Sequence, residues 1–247
     1  MKNLLTKIGK NSKKAFSLQI DTKKKDKVLK DYYLLIKKNK NLIIKENKKD
    51  IQNAYKKKIK RNLVDRLILN EKKILDITNS IKKIIKLKDP TNVILEKWKR
   101  PNGLRISKVS IPLGVIGVIY ESRPNVTSDV ASLCFKSGNS VILKGGSEAF
   151  YTNYLLSKLF RKSLKKNGVD ANFVQFINIK KRSVVDLMLT GMDKFIDIII
   201  PRGGKNLVKK VQNLSSVPTI GHLEGICHSY VDKDADPKIA KKIILNA

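Results

Sequence analysis

Apolar residues in the first 88 positions recur at intervals of three or four and alternate with runs of lysine. This spacing places the apolar side chains on one face of a helix and the lysines on the opposite face, in contact with water. The pattern is clearest from Leu63 to Ile85. We therefore predict several amphipathic helices in this region, and none of its residues suggests a chemical role.

A different pattern follows near position 100. Trp98 and the run Pro101–Gly103 predict a turn. Apolar and polar residues then alternate from Leu104 to Ser110, which predicts an exposed strand.

Short apolar runs separated by helical segments begin at Ile111, where lysine becomes less frequent. Strands that are apolar along their whole length are typical of a parallel sheet covered by helices on both faces. The predicted strands are Val115–Tyr120, Ser140–Lys144, Phe173–Ile177 and Phe195–Ile200, and the predicted helices are Thr127–Lys136, Glu148–Lys166, Ser183–Leu189 and Lys205–Leu214. Asn125, Thr127 or Ser128 is the expected cap of the first helix. The pattern predicts an α/β fold with a parallel Rossmann-type sheet.

Two basic turns with paired glycines follow strands of this sheet. One contains Lys144, Gly145, Gly146 and Ser147, and the other contains Arg202, Gly203 and Gly204. Ligands of parallel sheets bind beyond the carboxyl ends of the strands, where glycine allows close approach and a helix N-terminus favours an anion. Each turn alone could be a simple Gly-Gly turn, and the G-x-G-x-x-G fingerprint is absent. Together they predict a ligand that bears phosphate.

A third polar segment, Glu121–Asn125, follows the first strand of the sheet. The guanidinium of Arg123 could clamp a carboxylate or a phosphate. Alternatively, the segment caps the next helix, with Pro124 shaping the turn.

The formal net charge of +32 raises the alternative of a nucleic-acid-binding protein. Lysine nevertheless outnumbers arginine 45 to 8, whereas specific readers of bases and phosphates favour the planar arginine fork. Lysine occurs here with abundant asparagine and isoleucine, which also have A/T-rich codons. We therefore favour a compositional bias of the genome over a nucleic-acid function.

Few residues in the chain suit metal binding or disulfide formation. It has two cysteines without CxxC spacing and two histidines, so we predict neither a metal site nor a disulfide framework. The first ten residues lack the apolar core of a signal peptide, and no apolar run approaches the length of a membrane span. We expect a cytoplasmic protein that does not bind membranes.

Four ordered segments resemble γ-glutamyl phosphate reductases, a family of the aldehyde dehydrogenase superfamily. They are Ile111–Thr127, Leu133–Ala149, Ile199–Lys205 and His222–His228. The resemblance implies an aldehyde dehydrogenase-like fold with three parts. Residues 1–102 would be the N-terminal helical region of the cofactor-binding domain, 103–217 the NADPH-binding α/β domain, and 218–247 the first βα unit of an incomplete catalytic domain.

The resemblance implies NADPH-dependent reduction of L-glutamate 5-phosphate to L-glutamate 5-semialdehyde with release of phosphate, the second step of proline biosynthesis from glutamate. Superfamily members form a thioester on a cysteine thiolate, here by displacing phosphate, which hydride from NADPH then reduces. By position, Lys144 resembles the lysine that holds the adenosine ribose or its 2′-phosphate. The implied cofactor contacts are Lys144, Gly145, Gly146, Ser147, Arg202, Gly203 and Gly204, and the implied substrate contacts are Ser122, Arg123 and Asn125.

Two residues near the end of the sequence, His222 and Cys227, are candidates for a catalytic role. His222 stands where hydrolytic superfamily members carry a general-base glutamate, and it is either catalytic or a polar packing residue. Cys227 lies in Gly225–Val231, which predicts a strand before a helix at Pro237–Leu245. Neighbours in a strand point to opposite faces, so His228 would not activate Cys227.

We therefore expect Cys227 to be structural, and Cys134 lies within a predicted helix. The resemblance implies a nucleophilic cysteine in a loop beyond Ala247. The implied partners are the small-molecule substrate, glutamate 5-kinase and, in the complete protein, further copies of the chain. Besides a nucleic-acid-binding protein, the alternative is an inactive truncated remnant.

Overall fold

The computed structural model describes residues 1–247 apart from 182, 193, 222–226 and 247. Its first part, in which every residue is described, contains five helices. They are α1 (Lys2–Phe16), α2 (Thr22–Lys38), α3 (Lys40–Lys56), α4 (Arg61–Leu67) and α5 (Glu71–Lys86). The buried residues of α5 include Ile74, Ile77, Ile81 and Ile84, which repeat at helical spacing. The predicted amphipathic helices are confirmed.

An exposed hairpin follows these helices. Strand β1 (Ile94–Lys99) pairs antiparallel with β2 (Arg105–Val109), and Trp98 lies opposite Ile106. The predicted strand near Leu104 is confirmed, but the assignment of Trp98 to a turn is wrong. All six residues of β1 are exposed, so no buried face imposed the alternation by which a strand is recognised.

Within the described residues, the central sheet has four parallel strands in the order β5-β4-β3-β6. The strands are β3 (Val115–Tyr120), β4 (Ser140–Gly145), β5 (Val174–Phe176) and β6 (Ile198–Arg202), and the helices that follow them are α6 (Pro124–Lys136), α7 (Phe150–Lys166), α8 (Ser183–Gly191) and α9 (Lys205–Leu214). The predicted α/β fold with a parallel sheet is confirmed. A short 3₁₀ turn, Ser147–Ala149, separates β4 from α7.

The start of α6 differs from the expectation. The helix begins at Pro124 with Arg123 at the N-cap, and no side chain caps it. Proline suits this position because its ring fixes φ and it has no N–H to satisfy. The expected caps therefore lie inside the helix: the Thr127 hydroxyl bonds with Tyr120 Oη at 2.7 Å, and the Ser128 hydroxyl bonds with Tyr32 Oη at 2.7 Å.

Helices cover both faces of the sheet, as fully buried strands require. On one face, Val118 and Leu143 belong to a cluster that includes Phe135 and Phe160 and extends to α2 and α5. On the other face, Ile119 and side chains of the neighbouring strands pack with α1, α8 and α9. This double cover fixes the strand ends from which the polar turns emerge.

Asp50 of α3 caps the N-terminus of α7. Its buried carboxylate accepts hydrogen bonds from the Tyr151 N–H at 3.0 Å, the Thr152 N–H at 2.8 Å and the Thr152 hydroxyl at 2.7 Å. Burial raises the pKa of Asp50, against hydrogen bonds and the charge of Lys180 that lower it. The cap joins the N-terminal helices to the turn after β4.

The described residues beyond α9 make few contacts with the sheet. Thr219 forms a parallel bridge with Ile199. The helix α10 (Pro237–Ile244) confirms the predicted one but has no buried residue. The predicted strand at 225–231 is wrong for residues 227–231, which form no strand, because no described strand lies alongside to accept their backbone hydrogen bonds. In the described part of the chain, no helix has the length and apolar character needed to cross a membrane.

Candidate functional site

The carboxyl ends of three strands lie level at one edge of the sheet. Tyr120 at the end of β3 is paired with Gly145 of β4 and with Arg202 of β6. The Glu121 N–H then donates to the Arg202 carbonyl at 3.0 Å. The three polar segments identified from the sequence therefore emerge side by side.

Lys144 lies buried at the end of β4, with only 6% of its surface exposed. Its Nζ donates to the Gly145 carbonyl at 3.0 Å. Burial lowers the pKa of Lys144, and the charge of Glu148 acts in the opposite direction. The Glu148 carboxylate also accepts from the Ser147 hydroxyl at 2.9 Å, and the Ser122 hydroxyl lies 3.5 Å from it. The turn after β4 thus combines an ammonium group, a carboxylate and one hydroxyl, and the Ser122 hydroxyl approaches it from the segment after β3.

At two positions of these turns, neighbouring side chains approach the backbone so closely that only glycine fits without displacing them. A Cβ on Gly145 would lie 2.5 Å from Asn153 Nδ2 and 3.0 Å from the Tyr120 ring. A Cβ on Gly203 would lie 2.6 Å from Glu121 Cδ. A larger residue at either position would have to displace its neighbours.

Two clefts open at this edge of the sheet. The first, here called the lysine cleft, has a volume of about 550 Å³.

 

The lysine cleft is lined by the turn Lys144–Ser147, by Glu148, and by two lysines from other parts of the chain, Lys180 and Lys210. The first residues of α9 complete its wall.

The second cleft, here called the arginine cleft, has a volume of about 290 Å³. It is lined by Arg202, Gly203 and Gly204 from the turn after β6, by Ser122 and Arg123, and by Arg66 of α4. Leu63, Glu121 and Ser122 line both clefts. The two Gly-Gly turns therefore face adjoining clefts that share one wall.

Asn125 lines neither cleft. Its side-chain amide donates to the Asp129 carboxylate at 3.1 Å, and it borders a neighbouring depression together with Arg66 and Arg123. The structure therefore separates Asn125 from Ser122, although the sequence grouped the two.

The cysteines and histidines lie apart from this arrangement or outside the described residues. Cys134 is buried in α6, and burial raises the pKa of its thiol to about 12. Cys227 is exposed, in a stretch without regular structure. His222 lies outside the described residues.

Sequence reasoning missed the contribution of α4. Leu63 and Arg66 lie in the region to which no chemical role was assigned, yet both line the arginine cleft. Lys180, Lys210 and Glu148 were missed as well. An arginine in a chain so rich in lysine was the available signal for Arg66.

Comparison with known proteins identifies relatives along the whole chain. No family model matches it. It is 42% identical over 249 residues to the γ-glutamyl phosphate reductase of Thermodesulfovibrio yellowstonii, covering 100% of this chain and 59% of that protein. It is 43% identical over 249 residues to that of Ruthia magnifica, again covering 100% of this chain and 59% of the relative. The chain thus spans about three-fifths of the length of these relatives.

Solved structures agree with the sequence relatives. The γ-glutamyl phosphate reductase of Thermotoga maritima superposes with a TM-score of 0.92 at 36% identity, covering 98% of this chain and 59% of that one. The Saccharomyces cerevisiae protein of the same name gives a TM-score of 0.81 at 32% identity, covering 97% of this chain and 61% of that one. A probable aldehyde dehydrogenase from Listeria monocytogenes shares the fold alone, with a TM-score of 0.66 at 16% identity over 89% of this chain and 46% of that one.

The parallel sheet with its flanking helices is therefore the fold of the aldehyde dehydrogenase superfamily. Identity of 42–43% along the whole chain narrows the assignment. The chain belongs to the γ-glutamyl phosphate reductase family.

Proposed function

We propose that this chain is the cofactor-binding portion of an enzyme that reduces L-glutamate 5-phosphate to L-glutamate 5-semialdehyde and phosphate with NADPH, in proline biosynthesis. The observation that carries the proposal is the level arrangement of the strand ends, which brings the turns of Lys144 and Arg202 to one edge of the sheet. Relatives named γ-glutamyl phosphate reductase support the proposed reaction.

The residues of the lysine cleft suit a nicotinamide dinucleotide that carries a 2′-phosphate. The volume of about 550 Å³ is within the usual range for ligand pockets. Lys144, Lys180 and Lys210 provide positive charge for phosphate, and the Glu148 carboxylate can accept hydrogen bonds from ribose hydroxyls. When bound, the cofactor would supply a hydride.

The backbone of the turn after β6 is proposed to hold the phosphates of the cofactor, at the N-terminus of α9. Gly203 and Gly204 precede α9, whose N-terminal N–H groups favour an anion. Ser122 and Arg123 are proposed to contact the substrate, since they lie between the two turns. Asn125 is proposed to contribute from the neighbouring depression, which Arg123 also borders.

The nucleophilic cysteine is proposed to come from sequence beyond Ala247. Burial of Cys134 keeps its thiol protonated and inaccessible, and a thiol must ionise to act as a nucleophile. Cys227 is proposed to be structural, and His222 is proposed to be a catalytic residue.

The complete protein is proposed to be a cytoplasmic homo-oligomer that receives its substrate from glutamate 5-kinase. The hairpin of β1 and β2 supports self-association, because it exposes several large apolar side chains, which often mark interaction surfaces. They are Ile94, Leu95, Trp98, Leu104 and Val109.

The reverse reaction tests the proposed function. The purified chain would be incubated with glutamate semialdehyde, phosphate and NADP⁺, alone and together with the C-terminal two-fifths of a relative. We expect NADP⁺ reduction that depends on phosphate only when that segment is supplied. Activity of the chain alone that disappears in Cys227→Ser would overturn the assignment of the nucleophile.

A further inference from the structure

The basic side chains that line the arginine cleft are all arginine. Arg66, Arg123 and Arg202 come from α4, from the segment after β3 and from the end of β6. The whole chain contains 45 lysines and 8 arginines, and the described lining of this cleft contains no lysine. The basic side chains that line the adjoining lysine cleft are instead all lysine: Lys144, Lys180 and Lys210. The composition of the chain therefore does not explain the arginine cleft.

These arginines have no evident role in holding the fold together. Among the described residues, none of the three guanidinium groups forms an ion pair or a side-chain hydrogen bond, and all three residues are exposed. Arg161 provides a contrast, because its guanidinium donates to the Ala171 carbonyl at 2.7 Å and the Val174 carbonyl at 2.8 Å. The donors of the arginine cleft are thus available to a ligand.

Arg66 is held in place by the packing of its helix. Val64 and Leu67 are buried with Ala54 and Ala149 on one side of α4. Asn47, itself buried, donates to the Leu67 carbonyl at 2.8 Å and accepts from the Leu69 N–H at 2.8 Å. The backbone that carries Arg66 is therefore fixed next to the turn after β4.

We propose that the arginine cleft binds the two oxyanions of the substrate, its carboxylate and its phosphate, and that Arg66 is a specificity-determining residue. The planar guanidinium binds such groups through two parallel hydrogen bonds, which an ammonium group does not reproduce. The proposal rests on the proposed function, which supplies the identity of the substrate.

The single carboxylate of the cleft favours the substrate over the cofactor as the ligand. Glu121 lies against Gly203 and lines the cleft with the three arginines. L-Glutamate 5-phosphate carries two anionic groups and one ammonium group, so three guanidinium groups and one carboxylate complement its charges. A pyrophosphate has no cationic group that could form an ion pair with the Glu121 carboxylate.

Binding measurements on the 247-residue chain test the proposal. The probes are NADPH and a phosphonate analogue of L-glutamate 5-phosphate in which CH₂ replaces the bridging oxygen, each titrated by calorimetry. The variant is Arg66→Lys, which keeps the charge, and the matched control is Arg61→Lys, in the same helix but outside the cleft. Thermal melts check that both variants fold.

We expect Arg66→Lys to weaken binding of the analogue by roughly 10-fold or more, the usual value of a charge-assisted hydrogen bond. NADPH affinity should be unchanged, and Arg61→Lys should change neither. Equal affinity of Arg66→Lys and the parent chain for the analogue would overturn the proposal, as would a parent chain that does not bind it. A parallel loss of NADPH binding in Arg66→Lys would assign the cleft to the cofactor instead. A parent chain that binds the analogue but not NADPH would count against the proposed function and leave this inference standing.

Discussion

Substitution of Asp50 by alanine should destabilise the chain, because this carboxylate caps α7 from a helix distant in sequence. Asp50→Ala leaves the Tyr151 N–H, the Thr152 N–H and the Thr152 hydroxyl without their acceptor. Asp50 and Thr152 are both buried, with 1% and 0% of their surfaces exposed. Water therefore cannot readily replace the lost acceptor.

The magnitude follows from these contacts. A buried donor left without an acceptor costs about 1–3 kcal/mol, and loss of an N-cap alone costs about 0.5–2 kcal/mol. Removing the carboxylate also removes its desolvation cost, which is evident in its raised pKa. We therefore expect a net loss of about 3 kcal/mol in the free energy of unfolding, or roughly 6–12 °C in Tm for a chain of this size.

Urea unfolding at pH 7, followed by far-UV circular dichroism, would measure the loss. Asp65→Ala is the control, because Asp65 is exposed and its carboxylate has no hydrogen bond or ion pair among the described residues. It should change stability by less than about 0.5 kcal/mol. If Asp50→Ala were no less stable than Asp65→Ala, the capping argument would be refuted.

Two further predictions concern stability. The pKa of Asp89 is held well below its usual range: burial raises it, but hydrogen bonds from Lys25, Thr91 and Thr22 outweigh burial. The ionised carboxylate thus stabilises the fold above the unfolded pKa of about 4, and this contribution is lost as pH falls toward the lower folded pKa. Asp89→Asn should therefore lower the free energy of unfolding by about 2–4 kcal/mol at pH 7. In urea titrations, the difference in stability between variant and parent should narrow below pH 4. A difference that does not depend on pH would contradict the assignment. Gly138→Ala should lower Tm more than Gly168→Ala does. Both glycines have positive φ (+75° and +64°), but only at Gly138 would a Cβ meet neighbours, at 3.0 Å from Pro112 and 3.1 Å from Thr91. Equal losses of Tm in thermal melts would show that these contacts do not matter.

Much of the fold could be predicted because its pattern is local. The strand Val115–Tyr120 and the helix Lys205–Leu214 have the predicted bounds, since burial of the strand and amphipathic spacing of the helix leave clear patterns. The exposed strand β1 and the caps of α6 were missed or misassigned. Neither depends on a buried pattern, and the start of α6 is set by Pro124 at its first position.

The candidate site could be predicted only in part. The turns after β3, β4 and β6 were identified from glycines and charges, and parallel pairing brings them together. Helical spacing shows which residues of α4 face the core, but it does not show what its exposed residues approach. Arg66 could therefore be identified only from the structure, in which α4 packs beside a turn more than fifty residues later in the chain.

Cofactor affinity tests the central claim most directly. NADPH and NADH would be titrated into the parent chain, into Lys144→Ala and into Lys162→Ala, which removes the same charge from an exposed position of α7. We expect the parent chain to bind NADPH more tightly than NADH. Lys144→Ala should lose roughly 10-fold or more in NADPH affinity, the usual value of a charged hydrogen bond, and should lose less in NADH affinity. Lys162→Ala should bind both cofactors as the parent does. Unchanged affinities of Lys144→Ala for both cofactors would contradict the account.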